Sequence, residues 1–251
     1  AEGIKTEGYV HQLYFHYPVE GGIEQIITAF LKLIAKKSRV FCPTRIKRIY
    51  KKEGIWHVAT DKGNFTSKLL INCLPLHELF KYVKAPKNIV KALNELKYNS
   101  ICIILVQAKK DNIGDNFALY FADKDIVFHR ISKLNFLGDN YGLKSSKSNV
   151  LVEITYMPKS HLANLKREEI QQRAINDLDR LNLIKKRDVI DVDFRDFKYA
   201  YVIYDLNHKK NVGNVLKYLS GIGIHCCGRF AEFEYLNMDA VIDHSYKLAE
   251  K

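Results

Sequence analysis

The chain is short of several things, and each shortage removes a class of function. No apolar run reaches the roughly 18 to 20 residues that a bilayer-spanning helix needs, so no transmembrane segment is expected. The opening AEGIKTEGYV has no basic stretch followed by an apolar core, which is the pattern of a secretory leader. There are five cysteines, an odd and small number, so a disulfide framework is not expected. Cys42, Cys73, Cys102, Cys226 and Cys227 mostly sit in apolar, strand-like runs and read as reduced, buried thiols of a cytoplasmic protein. Cys226 and Cys227 are adjacent, and strand neighbours point to opposite faces, so they chelate poorly. With no CxxC or HExxH pattern, no metal is expected. No Ser-His-Asp or paired-carboxylate arrangement stands out either. Trp56 is the only tryptophan and reads as hairpin packing.

Acidic residues are also in short supply: 28 Asp and Glu against 40 Lys and Arg give a formal charge of +12. Such a balance favours anionic partners. The basic residues are dispersed, with short clusters at KKSR (36–39), RIKRIYKK (45–52) and KKR (185–187). No RNP, KH or finger signature accompanies them, so a nucleic-acid partner is not expected and a small-molecule substrate is.

What is present alternates between helix and strand patterns. Ile23, Ile26, Ile27, Phe30, Leu31 and Ile34 recur at helical spacing behind Gly21-Gly22, predicting an amphipathic helix over 22–37. Strands are expected at 39–41 and 46–51, then in IWHVAT and FTSKLLINCL, separated by KKEG and DKGN turns. LLINCLP is apolar on both faces and predicts a buried strand. Residues 87–97 read as a helix, and SICIILVQA, FALYFA, IVFHRIS and NVLVEITYM as strands. LGDNYGLKSSKSN (137–149) is a long polar loop. A long amphipathic helix, one or two strands over DVIDVDFRDFKYAYVIYD, a helix ending at glycine, the strand IHCC and a helix over 238–250 complete the chain.

The stretch GIGIHCCGRFAEFEYLNMDAVI, Gly221 to Ile242, concentrates features of a site. A strand runs into Gly228-Arg229, three aromatics follow, and Asn237-Met238-Asp239 has the composition of a helix start. Glycine permits close backbone approach, arginine supplies charged donors, and a helix N-terminus offers N–H groups and partial positive charge.

Three segments resemble the flavin-containing amine oxidase superfamily, which includes protoporphyrinogen oxidase and UDP-galactopyranose mutase-like members. They are YPVEGGIEQIITAFLKLI, the meander RVFCPTRIKRI…IWHVATDKG…SKLLINCLP, and GRFAEFEYLNMDAVI. The resemblance implies an α+β fold of the α/β family. Residues 1–85 and 206–251 would form an incomplete FAD-binding domain with a β-meander, and 86–205 an inserted substrate-binding domain with a mixed sheet backed by helices. It implies FAD contacts by Gly21, Gly22, Ile46, Gly228, Arg229, Asn237, Met238 and Asp239, and a substrate cleft drawing on Tyr120, Phe128, Arg130 and Tyr204. The family's GxGxxG segment for the ADP half of FAD is not found: Gly221-Ile222-Gly223 is followed by Cys226 at the third required place. The expectation is therefore the C-terminal part of an FAD-dependent oxidoreductase, without FAD or activity on its own, completed by an N-terminal half or a split partner. The alternatives are a mutase-like isomerase, with Arg130, Arg167 and Arg195 as phosphate-binding candidates, and a non-catalytic binding subunit.

Overall fold

The computed structural model describes residues 16–138, 141 and 147–250. In chain order, the first elements are α1 (Glu24–Ile34), β1 (Ile46–Lys52), β2 (Ile55–Thr60), β3 (Gly63–Ser67), β4 (Leu70–Asn72), α2 (Leu76–Leu79) and α3 (Lys87–Asn94). The five strands β5 (Lys97–Ala108), β6 (Ala118–Tyr120), β7 (Arg130–Lys133), β8 (Ser148–Tyr156) and β9 (Val189–Ile203) follow, with α4 (Arg167–Arg180) between the last two. The chain then closes with α5 (His208–Ile222), β10 (Ile224–Cys226) and α6 (Met238–Ala249). This is a mixed α+β fold. Its sheets are β1-β2-β3, β10-β4 and β6-β7-β8-β5-β9. The residues group into two compact units. Among the described residues, the first holds 16–40, 104–138, 141, 147–152 and 171–193, and the second 41–103, 153–170 and 194–250.

In the second unit, β1 and β2 form a hairpin whose two loop residues, Glu53 and Gly54, both have positive φ, as a twist-matched two-residue turn requires. Its register sets Val58 opposite Ile49 and Trp56 opposite Lys51. Ile49 and Trp56 are buried in a cluster with Leu79, Leu93, Val215, Leu219, Ile224 and Phe233. On α5 the buried Val212, Val215 and Leu219 fall at i, i+3 and i+7, one face of a helix. Burying each such side chain contributes about 1.5–3 kcal/mol. Gly223, left-handed at φ 86, terminates α5 and donates its N–H to the Leu219 and Ser220 carbonyls. Its own carbonyl accepts the Trp56 indole N–H at 3.2 Å. The meander is thereby fixed to the end of α5.

Several local expectations are corrected. FTSKLLINCL is two strands, β3 in the meander and β4 in a separate parallel pair with β10, where Ile71 faces His225 across the register. LLINCLP is not covered on both faces. Asn72 is buried, but Ile71 is 46% exposed, because β4 is three residues long in a sheet of two strands. Residues 39–41 form no strand; Pro43 lacks an N–H and restricts the residue before it. Cys42 and Cys73 are exposed rather than buried. Cys102 and Cys227 are buried as expected and Cys226 is half-buried; burial pushes the Cys102 and Cys226 thiols up to about 12 and about 11.

In the first unit, IVFHRIS is a strand only from Arg130, so Phe128 and His129 precede it. The Asp177 carboxylate accepts the Val127 N–H at 2.8 Å and Arg180 donates to the Asp125 carbonyl at 2.8 Å, so α4 anchors the start of this segment. Helix α1 has the expected amphipathic face but none of its residues is buried. Most of the loop over 137–149 lies outside the described residues, as does the segment AEGIKTEGYV. Among the described residues no helix is long and apolar enough to cross a membrane, and no group of His, Cys, Asp and Glu could hold a metal.

Candidate functional site

The two parallel strands of the second unit, β4 and β10, both end at one place, at Asn72 and Cys226. In open parallel sheets, the crevice outside the carboxyl ends of the strands is where ligands bind. Asn72 organises this end. Its side chain donates to the Leu74 carbonyl at 3.0 Å and accepts the Leu74 N–H at 3.1 Å, while its carbonyl accepts the Cys227 N–H at 3.0 Å. The sequence reading did not single out Asn72. The one signal for it is a polar residue inside the apolar run LLINCLP.

Gly228 follows with φ 111, and a Cβ built there would touch nothing within 4 Å. The glycine is required by the backbone conformation and leaves open space beside the turn. Its N–H donates to Glu232 Oε1 at 2.7 Å, and Glu232 Oε2 lies 2.7 Å from His244 Nδ1 on α6. Arg229 is held more tightly than the expectation of a ligand-binding cation implies. Its Nη2 donates to the Ala200 carbonyl at 2.6 Å and Nη1 to the Leu236 carbonyl at 3.5 Å. The guanidinium lies 4.3 Å from the Tyr235 ring centroid and 5.2 Å from that of Tyr201. Nε is buried without a hydrogen-bond partner. The fork therefore fixes the path from 229 to 236, and Nε is the guanidinium nitrogen that makes no hydrogen bond.

Asn237 has the extended backbone of an N-cap, with φ −80 and ψ 171, but its side chain makes no capping hydrogen bond. The first intrahelical bond runs from the Val241 N–H to the Asn237 carbonyl. The N–H groups of Met238 and Asp239 belong to the first turn, which an α-helix leaves unpaired within itself, and the helix dipole puts partial positive charge there. Met238 is exposed. Gly228, Arg229, Asn237, Met238 and Asp239 thus lie on one continuous segment that runs from a strand's carboxyl end to a helix N-terminus.

The remaining residues fall elsewhere. Ile46, at the start of β1 in the same unit, lines a hollow of about 500 Å³ with Arg45, Leu74 and Tyr82. Gly21 and Gly22 belong to the first unit, both left-handed at φ 73 and φ 69. The Gly22 N–H donates to Tyr141 Oη at 2.9 Å, and that hydroxyl donates to the Pro18 carbonyl at 2.6 Å. Tyr120, 71% exposed, accepts a hydrogen bond from Arg130 Nη1 at 3.3 Å. Phe128 is 1% exposed, with its ring edge-on to Phe121 in the interior of the first unit. Tyr204, in the second unit, accepts the Tyr235 N–H at 2.6 Å and so supports the Arg229 segment. Arg167 lies over the Phe194 ring.

The donors that this segment leaves open are the first-turn N–H groups at the α6 N-terminus, since the Gly228 N–H is given to Glu232 and Arg229 Nε is buried; such a terminus can face an anionic or electron-rich group. Among the described residues there is no glycine-rich strand–turn–helix for a pyrophosphate.

The fold is shared with several solved structures. The chain aligns with a reduced UDP-galactopyranose mutase at TM-score 0.77 and 17% identity, over 94% of this chain and 53% of that one. A redesigned putrescine oxidase aligns at TM-score 0.64 and 14% identity, over 92% and 52%. An oxidoreductase from Methanosarcina mazei aligns at TM-score 0.64 and 14% identity, over 92% and 55%. The chain thus spans about half the length of the structures it matches. No curated protein sequence matches it. The sequence profile of the flavin containing amine oxidoreductases matches residues 2–211, and the chain belongs to that family.

Proposed function

We propose that this chain supplies the flavin-facing part of an FAD-dependent oxidoreductase of the amine oxidase and protoporphyrinogen oxidase type. The observation that carries the reading is the segment from Gly228 to Asp239, which joins the carboxyl end of a parallel strand to a helix N-terminus through an open glycine turn. FAD, when bound, supplies the ring that accepts a hydride or electrons. This chain's residues would position that ring. The Gly228 turn lets it approach, the first-turn N–H groups of Met238 and Asp239 favour negative charge on it, and the Arg229 fork keeps the turn in shape. Ile46 would border the adenine side, and Gly21 and Gly22 the cleft beside the ring. Residues 86–205 would carry the substrate-binding part. The ADP half of FAD needs a glycine-rich strand–turn–helix from outside this chain, and the exposed Leu69 and Ile71 beside the two-stranded sheet favour a further layer there. Alone, the chain is proposed to be inactive, in the cytoplasm, and to bind FAD weakly or not at all. Titration with FAD followed by gel filtration tests this: flavin absorbance should separate from the chain, and a stoichiometric yellow complex contradicts the reading.

A second reading is a mutase-like isomerase acting on a nucleotide sugar. The TM-score to the mutase structure favours it, as does the GRFAEFEYLNMD segment. Arg130, Arg167 and Arg195 are its phosphate-binding candidates. Binding of a nucleoside diphosphate by the protein, lost on replacing these arginines singly by alanine, would support it; unchanged binding would remove it. A non-catalytic binding subunit is the outcome if FAD never binds, even with a GxGxxG-bearing segment supplied.

A further inference from the structure

A cleft of about 1200 Å³ lies away from Gly228 in the second unit, between β1, the α2–α3 segment and the end of α5. Its floor is aliphatic and aromatic: Ile49, Phe80, Val83, Leu93 and Ile222, with the edge of Trp56. Ile49 and Trp56 share one face of the meander, because Ile49 pairs with Val58 and Lys51 with Trp56 across the register. Its cationic groups are Lys47, Arg48, Lys51, Lys81 and Lys84, and no carboxylate lines it. Lys51 Nζ lies 5.2 Å from the Trp56 ring centroid and donates to the Ile222 carbonyl at 3.2 Å, so one positive charge is fixed over the floor. Lys81 pairs with Glu78 and Arg48 lies over the Tyr50 ring, and Lys47 and Lys84 are further exposed rim cations.

We infer that this cleft binds an anionic amphiphile, with a carboxylate or phosphate head on an aliphatic body. The floor removes apolar surface from water, at roughly 25 cal/mol per Å² buried, and the rim attracts the head. A bare anion gains nothing from the floor, and a neutral alkyl chain gains nothing from the rim. A nucleobase needs edge-on donors and acceptors, and the uncharged polar groups here are few: Asn94, His77 and the two tyrosines, Tyr50 and Tyr82. The inference does not rest on the flavin reading, since the cleft contains none of the residues assigned to FAD.

Calorimetric titration of the full protein with decanoate, kept below its micelle concentration, tests it. Decanol, butyrate and decyl phosphate are the comparison probes. Saturable one-site binding of decanoate is expected, at least ten-fold tighter than that of decanol or butyrate. Decyl phosphate binding better than decanoate assigns the head as phosphate, and the reverse assigns it as carboxylate; both sustain the inference. The double substitution Lys47→Gln and Lys84→Gln should weaken decanoate at least ten-fold and leave decanol unchanged. Val90→Trp, at an exposed position on the cleft wall, should weaken both by filling the space, and it serves if the lysine variant fails to fold. Absence of decanoate binding, equal binding of decanol, or unchanged affinity in the folded variants would overturn it.

Discussion

Two positively charged places in the second unit are built in opposite ways. At Arg229 a single guanidinium is wrapped by two tyrosine rings and hydrogen-bonded to two backbone carbonyls. In the cleft beside β1 and α3, five cations stand around an apolar floor, and Lys47, Lys51 and Lys84 are exposed. The first arrangement shapes the backbone, because a desolvated fork with fixed partners holds a chain segment in one path. The second sets a field over a surface, and its charges keep most of their hydration. Removing a cation should therefore affect folding in the first place and ligand binding in the second.

Arg229→Ala should have the largest effect on stability. It leaves the Ala200 and Leu236 carbonyls without their donor and removes the contact with Tyr235, a loss of about 3 kcal/mol. Urea unfolding monitored by circular dichroism measures it, and Arg229→Lys should recover less than half, since an ammonium cannot serve both carbonyls in the same plane. If Arg229→Ala unfolds at the wild-type midpoint, the contrast with the cleft fails.

Trp56→Phe should come next, at about 1–2 kcal/mol, through loss of the indole bond to Gly223 and some packing. Glu78→Gln should cost less, on the order of 1 kcal/mol at neutral pH. Burial works against the Glu78 carboxylate, but hydrogen bonds from Lys198, Lys81 and Tyr199 outweigh it and hold the group down to about 2. A carboxyl depressed in the folded state contributes stability above its unfolded value and loses it as pH falls through the folded one. The difference between wild type and Glu78→Gln should be full above about pH 4.5 and should close as pH falls towards about 2. Unfolding at a series of pH values measures this gap.

The smallest effects should be at Lys47→Gln, Lys84→Gln and Asn237→Ala. The lysines should stay within about 0.5 kcal/mol of wild type in stability. Replacing a capping asparagine ordinarily costs about 0.5–2 kcal/mol. Asn237 makes no side-chain cap bond, so its replacement should fall below that range in the same unfolding assay. A loss above 1 kcal/mol would mean that a cap bond forms in solution.

Much of this was legible in the residues because periodicity and turn chemistry are local. The meander, α5 ending at Gly223 and the helix start at Met238 all follow from spacing, glycine and the residue types beside them. The order of segments also led to the family to which the chain belongs. What escaped was set by partners distant in sequence. FTSKLLINCL reads as one apolar run, yet the chain leaves one sheet at Ser67 and enters another at Leu70, because β4 pairs with β10 some 150 residues later. IVFHRIS alternates like a strand, but Asp177 and Arg180 on α4 anchor its start. Arg229 reads as a ligand donor; that its fork serves Ala200 and Leu236 depends on where β9 lies. Asn72 carries no motif at all, and its role appears only where two strands end together.

The most direct test of the proposed function is flavin retention. The 251-residue chain is mixed with excess FAD, with and without a GxGxxG-bearing strand–turn–helix segment fused upstream, and flavin absorbance is read after gel filtration. The account predicts a colourless chain alone, a stoichiometric yellow complex for the fusion, and loss of that colour in the fusion when Gly228 is replaced by valine. Stoichiometric FAD on the chain alone, or a fully yellow, folded Gly228→Val fusion, would contradict it.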